Sequence, residues 1–217
     1  MGNDLPADPR PTQPVRPRPR LRPRWVALLL AGLALMTVVV SLSRRQPHTF
    51  HGILLQTRQP VADFTLQSSH HGPLSLSELR GQYVLLYFGY THCPDVCPLT
   101  LVDLAQTLDQ LGDQANAVQV LFVTVDPARD TAQQLASYLP HFHPDFVGLT
   151  GEPTLIDAVA TQFGVFHDGG PANDNPAGLI DHTNNVIVLD RRGHVQLLFP
   201  PGAGAAEMAA DLAYLLR

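Results

Sequence analysis

The period of apolar positions changes repeatedly along the chain, and each change marks an element. Trp25 to Leu42 (WVALLLAGLALMTVVVSL) is eighteen residues without a charge, about the length a helix needs to cross a bilayer. Residues 46–60 show no clean period and read as a tether. Val61-Ala62-Asp63-Phe64-Thr65-Leu66 alternates as a strand, Ser68 to Pro73 has turn chemistry, and Leu74-Ser75-Leu76 returns as a second strand. Tyr83-Val84-Leu85-Leu86-Tyr87-Phe88 is an unbroken apolar run that predicts a buried strand. Leu101, Leu104, Ala105, Leu108 and Leu111 then recur at helical spacing with polar residues between them.

The alternation continues. Val118 to Val125 predicts another long strand, followed by a helix carrying Leu135, Tyr138 and Leu139 before Pro140. Asp130 is placed to cap that helix, with Gln133 reciprocating. Phe146 to Leu149 predicts a short strand, and Pro153 to Phe163 a helix with proline in its first turn. Asp168 to Gly178 is too rich in Gly, Pro and Asn for regular structure and predicts a mobile loop. Val186 to Asp190 and His194 to Phe199 flank Arg191-Arg192-Gly193 as a hairpin, and Ala205 to Leu216 closes as a helix. Strands alternating with helices mean a sheet covered by helices, and the late hairpin makes that sheet mixed.

Charge divides the chain. Residues 1–45 hold eight arginines against two acids, net +6, whereas the remaining six arginines and seventeen acids give −11, within a total of −5. Lysine is absent. Residues 1–24 are rich in arginine and proline with almost no apolar content, so no core forms there. Six arginines precede the apolar run and only Arg44 and Arg45 closely follow it, which keeps the N-terminus cytoplasmic. No cysteine flanks the run for lipid attachment, its length exceeds a signal-peptide core, and it lacks an Ala-x-Ala end. The expected organisation is a disordered cytoplasmic tail (1–24), a transmembrane anchor (25–43), a tether (44–57) and a domain (58–217). That places the domain beyond an inner, bacterial-type membrane. An acidic domain of this kind is a poor nucleic-acid binder. No glycine-rich phosphate loop or nucleophile elbow is present.

Both cysteines lie in Gly89-Tyr90-Thr91-His92-Cys93-Pro94-Asp95-Val96-Cys97-Pro98, where the buried strand ends and the amphipathic helix begins. A thiol at a helix N-terminus faces unpaired N–H groups and the positive end of the dipole, which favours thiolate. Two thiolates one turn apart either close a disulfide or share a soft metal ion. As a staple the pair would do little, since so short a loop stabilises a fold weakly. A redox pair that ends a strand and opens a helix in such a sheet points to a thioredoxin-like fold. Other metal-ligand residue types are scattered: His70 and His71 in a turn, and His141 and His143 in a Pro-flanked loop, all read as solvated.

Taken together, Phe88 to Pro98, Val125-Asp126-Pro127-Ala128-Arg129-Asp130-Thr131 and Asp181-His182-Thr183 resemble the Sco/SenC family over residues 58–217. These are membrane-anchored, thioredoxin-like proteins implicated in building the copper site of cytochrome oxidase. The resemblance implies that Cys93, Cys97 and His182 are copper ligands, for Cu(I) or Cu(II), and that Cys93 and Cys97 form a redox pair. It implies a metallochaperone that delivers copper to the oxidase's copper-bearing subunit, with other copper chaperones or thiol reductases as further partners. A second reading on the same residues is a thiol–disulfide oxidoreductase that reduces the oxidase's copper-binding cysteines. A third, a thiol peroxidase, is disfavoured by Pro94 and by the second cysteine at this spacing. Asp181 is a candidate to orient the imidazole, as carboxylates often do. Asp126 reads as a turn former or a carboxylate near the metal. His92 should point away from its neighbour Cys93.

Overall fold

Seven consecutive buried residues, Tyr83–Gly89, form the strand on which the domain is built. The computed structural model describes residues 23–43, 48–70, 72–169 and 179–217. The chain divides into two units after Pro47. In the first, helix α1 spans Pro23–Ser43, with Leu28, Leu29, Leu33 and Met36 exposed. Among the described residues no helix is long and apolar enough to cross a membrane. The expected span, 25–42, runs past the stretch of α1 whose side chains are described, 27–40.

The second unit holds ten strands and four α-helices among the described residues. In chain order these are β1 (Ile53–Pro60), β2 (Thr65–Ser68), β3 (Gly72–Ser75), β4 (Tyr83–Gly89), α2 (Val96–Leu111), β5 (Val118–Thr124) and α3 (Ala132–Tyr138). They continue with β6 (Val147–Thr150), α4 (Pro153–Gln162), β7 (His167–Gly169), β8 (Ile180–His182), β9 (Val186–Leu189), β10 (His194–Phe199) and α5 (Ala205–Leu215). Eight strands make one sheet in the order β1-β10-β9-β4-β5-β6-β2-β3, and β7 pairs with β8 separately. β4, β5 and β6 are parallel, and the flanking strands run antiparallel to their neighbours. This mixed sheet, flanked by helices, is thioredoxin-like.

Parallel strands need helices on their faces, and the glycines show which face each helix takes. A Cβ on Gly148 would lie 2.7 Å from Leu135 of α3. A Cβ on Gly89, on the same face, would lie 3.0 Å from the Cys97 sulfur of α2. α5 packs on α2 there, and Tyr83 of β4 donates its hydroxyl to the Leu215 carbonyl. Phe163, just past α4, meets Phe88 on the opposite face at 5.9 Å. The central strands β4 and β5 are therefore buried on both sides, which is why they read as continuous apolar runs. Each fully buried Leu or Phe in them contributes ~1.5–3 kcal/mol.

Several expectations change here: the strand expected over 61–66 starts only at Thr65 and runs to Ser68. Residues 53–57 are not tether: they begin β1, paired antiparallel with β10 from Ile53↔Leu198. The preceding residues are docked as well. Asp211 of α5, fully buried, accepts hydrogen bonds from the backbone N–H groups of His51 and Gly52 and from the His48 and His51 rings. No apolar period announces this segment, because β1 is an edge strand and its anchor is one carboxylate 160 residues away. Next, Asp168 and Gly169 belong to a strand rather than a loop; the rest of the expected loop, 170–178, and His71 lie outside the described residues. Finally, Asp130 does not cap α3. Thr131 does, its hydroxyl accepting the Gln134 N–H at 3.2 Å. Asp130 turns instead toward the loop that carries Cys93.

Candidate metal centre

The site lies where β4 and β5 end, beyond the carboxyl ends of parallel strands, where such sheets place their ligands. β4 stops at Gly89, and this position has no room for a side chain. A Cβ would sit 2.9 Å from the Phe122 ring and 3.0 Å from the Cys97 sulfur. Tyr90 to Asp95 then cross to α2. Cys93, nearly buried, donates its N–H to the Tyr90 carbonyl at 3.2 Å. Cys97 occupies the first turn of α2 and is fully buried. Both are free thiols.

β8 brings the third group. His182 Nε2 lies 3.4 Å from Cys97 Sγ. Its Nδ1 lies 3.2 Å from the Ile180 carbonyl oxygen, which can only accept, so Nδ1 carries the proton and Nε2 presents its lone pair to the sulfur. β7 supports this short strand through the pair His167↔His182. The opening above the site has a volume of about 260 Å³, and its lining includes Tyr90, Cys93, Pro94, Asp181, His182 and Asn184. A larger cleft, about 520 Å³, lies at the other end of the sheet against Val118 and Val147 and contains neither thiol.

Burial governs the charge states. It pushes the Cys97 thiol up to about 12, against the expectation that the helix N-terminus would favour thiolate. At a fully buried sulfur the loss of water outweighs the dipole of the first turn. Burial also lowers His182, although the bond to the Ile180 carbonyl and the charge of Asp181 work the other way. The metal-free pair is thus a neutral thiol donating to a neutral imidazole. A soft cation that displaces this one proton meets a sulfur and a nitrogen already facing each other, with the second sulfur nearby. Tyr87 and Tyr90 complete the surroundings. Their phenols are held above the usual range, chiefly by burial, so both remain hydrogen-bond donors. Tyr87 reaches Asn184 Oδ1 at 3.4 Å.

The structure brings together Cys93, Cys97 and His182, and Asp181 lines the same opening. Asp181 is exposed, and the Ile180 carbonyl, not this carboxylate, holds the imidazole. His92, Asp126 and Asp130 have ligand atoms within 4.8 Å of one another, but their acceptors are engaged. Asp126 is ion-paired with Arg129. Asp130 accepts from the Thr91 N–H (2.9 Å), the Thr91 hydroxyl (2.5 Å) and the Thr124 hydroxyl (2.7 Å). The sequence pattern did not single out Gly89, Tyr87, Tyr90 or Ile180. Gly89 had a legible signal, a glycine closing an apolar run beside the first cysteine; the tyrosines read as ordinary strand residues.

The sequence profile of the SCO1/SenC family matches residues 54–217. The chain belongs to the SCO1/SenC family. Within it, the mitochondrial SCO2 homologue of Bos taurus is 37% identical over 188 residues, covering 85% of this chain and 71% of its own. The solution structure of apo Sco1 from Thermus thermophilus superposes with a TM-score of 0.70 at 39% identity, covering 77% of this chain and 98% of that one. ScoI from Bradyrhizobium japonicum, solved with copper bound, superposes with a TM-score of 0.65 at 35% identity, covering 72% and 99%.

Proposed function

We propose that this SCO1/SenC protein binds one copper ion through Cys93, Cys97 and His182 and delivers it to the copper-bearing subunit of cytochrome c oxidase. One observation carries the reading: a ring nitrogen whose lone pair faces a buried cysteine sulfur stands 3.4 Å from it, across 85 residues of chain. Two sulfurs and one imidazole suit Cu(I), and the same set tolerates Cu(II). The copper-bound relative from Bradyrhizobium supports the metal, and the family supports the oxidase as destination. Copper is cargo here. This chain's residues lend a lone pair at His182 Nε2, release the Cys97 proton on loading, and keep water out through the buried tyrosines.

The proposal includes the anchor. The uncharged run 25–42, the excess of arginine before it and the exposed leucines of α1 support a membrane-spanning helix with its N-terminus in the cytoplasm. The copper domain then works on the far side of an inner, bacterial-type membrane. Its tether is shorter than residues 44–57, because His48 already contacts α5.

Copper titration of the reduced full-length chain tests the reading. One Cu(I) should bind per chain, and Cys93→Ser and Cys97→Ser should each weaken binding by roughly a hundredfold or more, about 2.7 kcal/mol. Cysteine variants that bind as tightly as the parent would contradict it. The thiol–disulfide reading keeps one favouring observation: the two thiols are free, and Cys93 is close enough to Cys97 to help raise its thiol. In that reaction the two thiols reduce a partner disulfide, passing two electrons and two protons and closing the Cys93–Cys97 bond. It does not require His182.

A further inference from the structure

β8, which carries His182, is only three residues long and lies outside the main sheet. Something must fix it against the thiol loop. Backbone pairing with β7 holds it from one side. On the other, the Ile180 N–H donates to the Tyr90 hydroxyl oxygen at 3.1 Å, a buried hydrogen bond between residues 90 positions apart. The Tyr90 ring also meets the His182 ring edge-on at 5.6 Å. Tyr90 itself is anchored. It follows the last residue of β4, its carbonyl accepts the Cys93 N–H, and its ring lies under the Arg129 guanidinium at 5.9 Å. Tyr90 and Cys93 also line the same opening.

We infer that Tyr90 is the positioning residue for His182: its hydroxyl docks Ile180, whose carbonyl in turn fixes the imidazole facing Cys97. This rests on the reading of His182 as a copper ligand. The role belongs to the hydroxyl rather than the ring, because phenylalanine would preserve the edge-on contact and lose only the acceptor. A buried N–H left without an acceptor drives its strand to shift until it finds one. Ile180 is the residue that orients the imidazole, so His182 Nε2 moves with it. Asp181, exposed on the same strand, acts on His182 through its charge, whereas the Ile180 carbonyl makes the hydrogen bond to the ring.

The test is Tyr90→Phe in the reduced full-length chain under anaerobic conditions. Cu(I) affinity is measured by chelator competition, the Cu(II) complex by sulfur-to-copper absorption and EPR, and folding by thermal melting. Copper affinity should fall roughly fivefold or more, with a changed Cu(II) spectrum and a nearly unchanged melting temperature. In a His182→Ala background the same substitution should add less than about twofold, since residues acting as one unit are non-additive. A Tyr90→Phe chain with the parent's affinity and spectrum would overturn the inference and leave the three-ligand reading standing. An undiminished effect in the His182→Ala background would overturn it too, assigning the hydroxyl to Cys93. If His182→Ala alone leaves copper affinity unchanged, the ligand reading falls and this inference with it.

Discussion

Cys97 and His182 are 85 residues apart in the chain, yet the sulfur and Nε2 stand 3.4 Å from each other. Neither is charged before metal arrives: burial raises the thiol and lowers the imidazole. The contact is a hydrogen bond, and on the proposed reading a soft cation takes the place of its one proton.

That exchange makes copper binding depend on pH. Burial pushes the Cys97 thiol up to about 12, so with Cys97 as a ligand each copper bound at neutral pH displaces its proton. Cu(I) affinity should rise about tenfold per pH unit for each proton released between pH 6 and 8. An affinity flat across that range would show that Cys97 is not deprotonated on loading. The same raised value makes the metal-free fold favour the neutral thiol. Its stabilisation is complete below the ordinary thiol value and is lost as pH rises from there toward 12.

Gly89 should tolerate no side chain. Gly89→Ala puts a methyl 2.9 Å from the Phe122 ring and 3.0 Å from the Cys97 sulfur, which overpacks the core and displaces the thiol. A loss of ~1–3 kcal/mol in chemical denaturation, together with weaker copper binding, is expected. A variant as stable as the parent would mean that the end of β4 can shift.

Asp130 and Thr131 separate two roles that the sequence pattern merges. Asp130→Ala strands two hydroxyls and one backbone N–H in and around the Cys93 loop, so it should cost ~1–3 kcal/mol and speed alkylation of Cys93. Thr131→Ala removes the α3 cap, costing ~0.5–2 kcal/mol, and should leave thiol reactivity alone. Equal reactivity in the two variants would refute the division.

How much of this was readable in advance follows from range. The central strands, α2, α4, the terminal hairpin and α5 were legible within a residue or two, because a strand buried on both faces or an amphipathic helix writes its own period. β1 was not: its pairing with β10 and its anchor at Asp211 depend on distant partners. The capping error at Asp130 has the same origin. A carboxylate next to a helix start reads as a local cap until Thr91, 39 residues earlier, offers it three donors with Thr124. Family resemblance drew attention to His182, while the Ile180 carbonyl and Tyr90 hydroxyl that hold it have no local pattern at all.

Asp211 also makes an acid-stability prediction. Burial alone would raise this carboxyl, but hydrogen bonds from Gly52, His51 and His48 outweigh it and hold the group below the ordinary carboxylate value. A group depressed in the folded state adds stability above its unfolded value, which is lost as pH falls through the folded one. The domain should therefore lose stability below about pH 4, and Asp211→Asn should be less stable at neutral pH and flatter in acid. Denaturation curves at pH 3 to 7 check this; parallel pH profiles for parent and variant would contradict it.

The most direct test of the three-ligand site is the Cu(I) affinity of the reduced full-length chain against His182→Ala, both without oxygen. A drop of tenfold or more, about 1.4 kcal/mol, at unchanged one-to-one stoichiometry is the expected result. Equal affinities would contradict the site and leave Cys93 and Cys97 as a dithiol whose neighbouring histidine is structural.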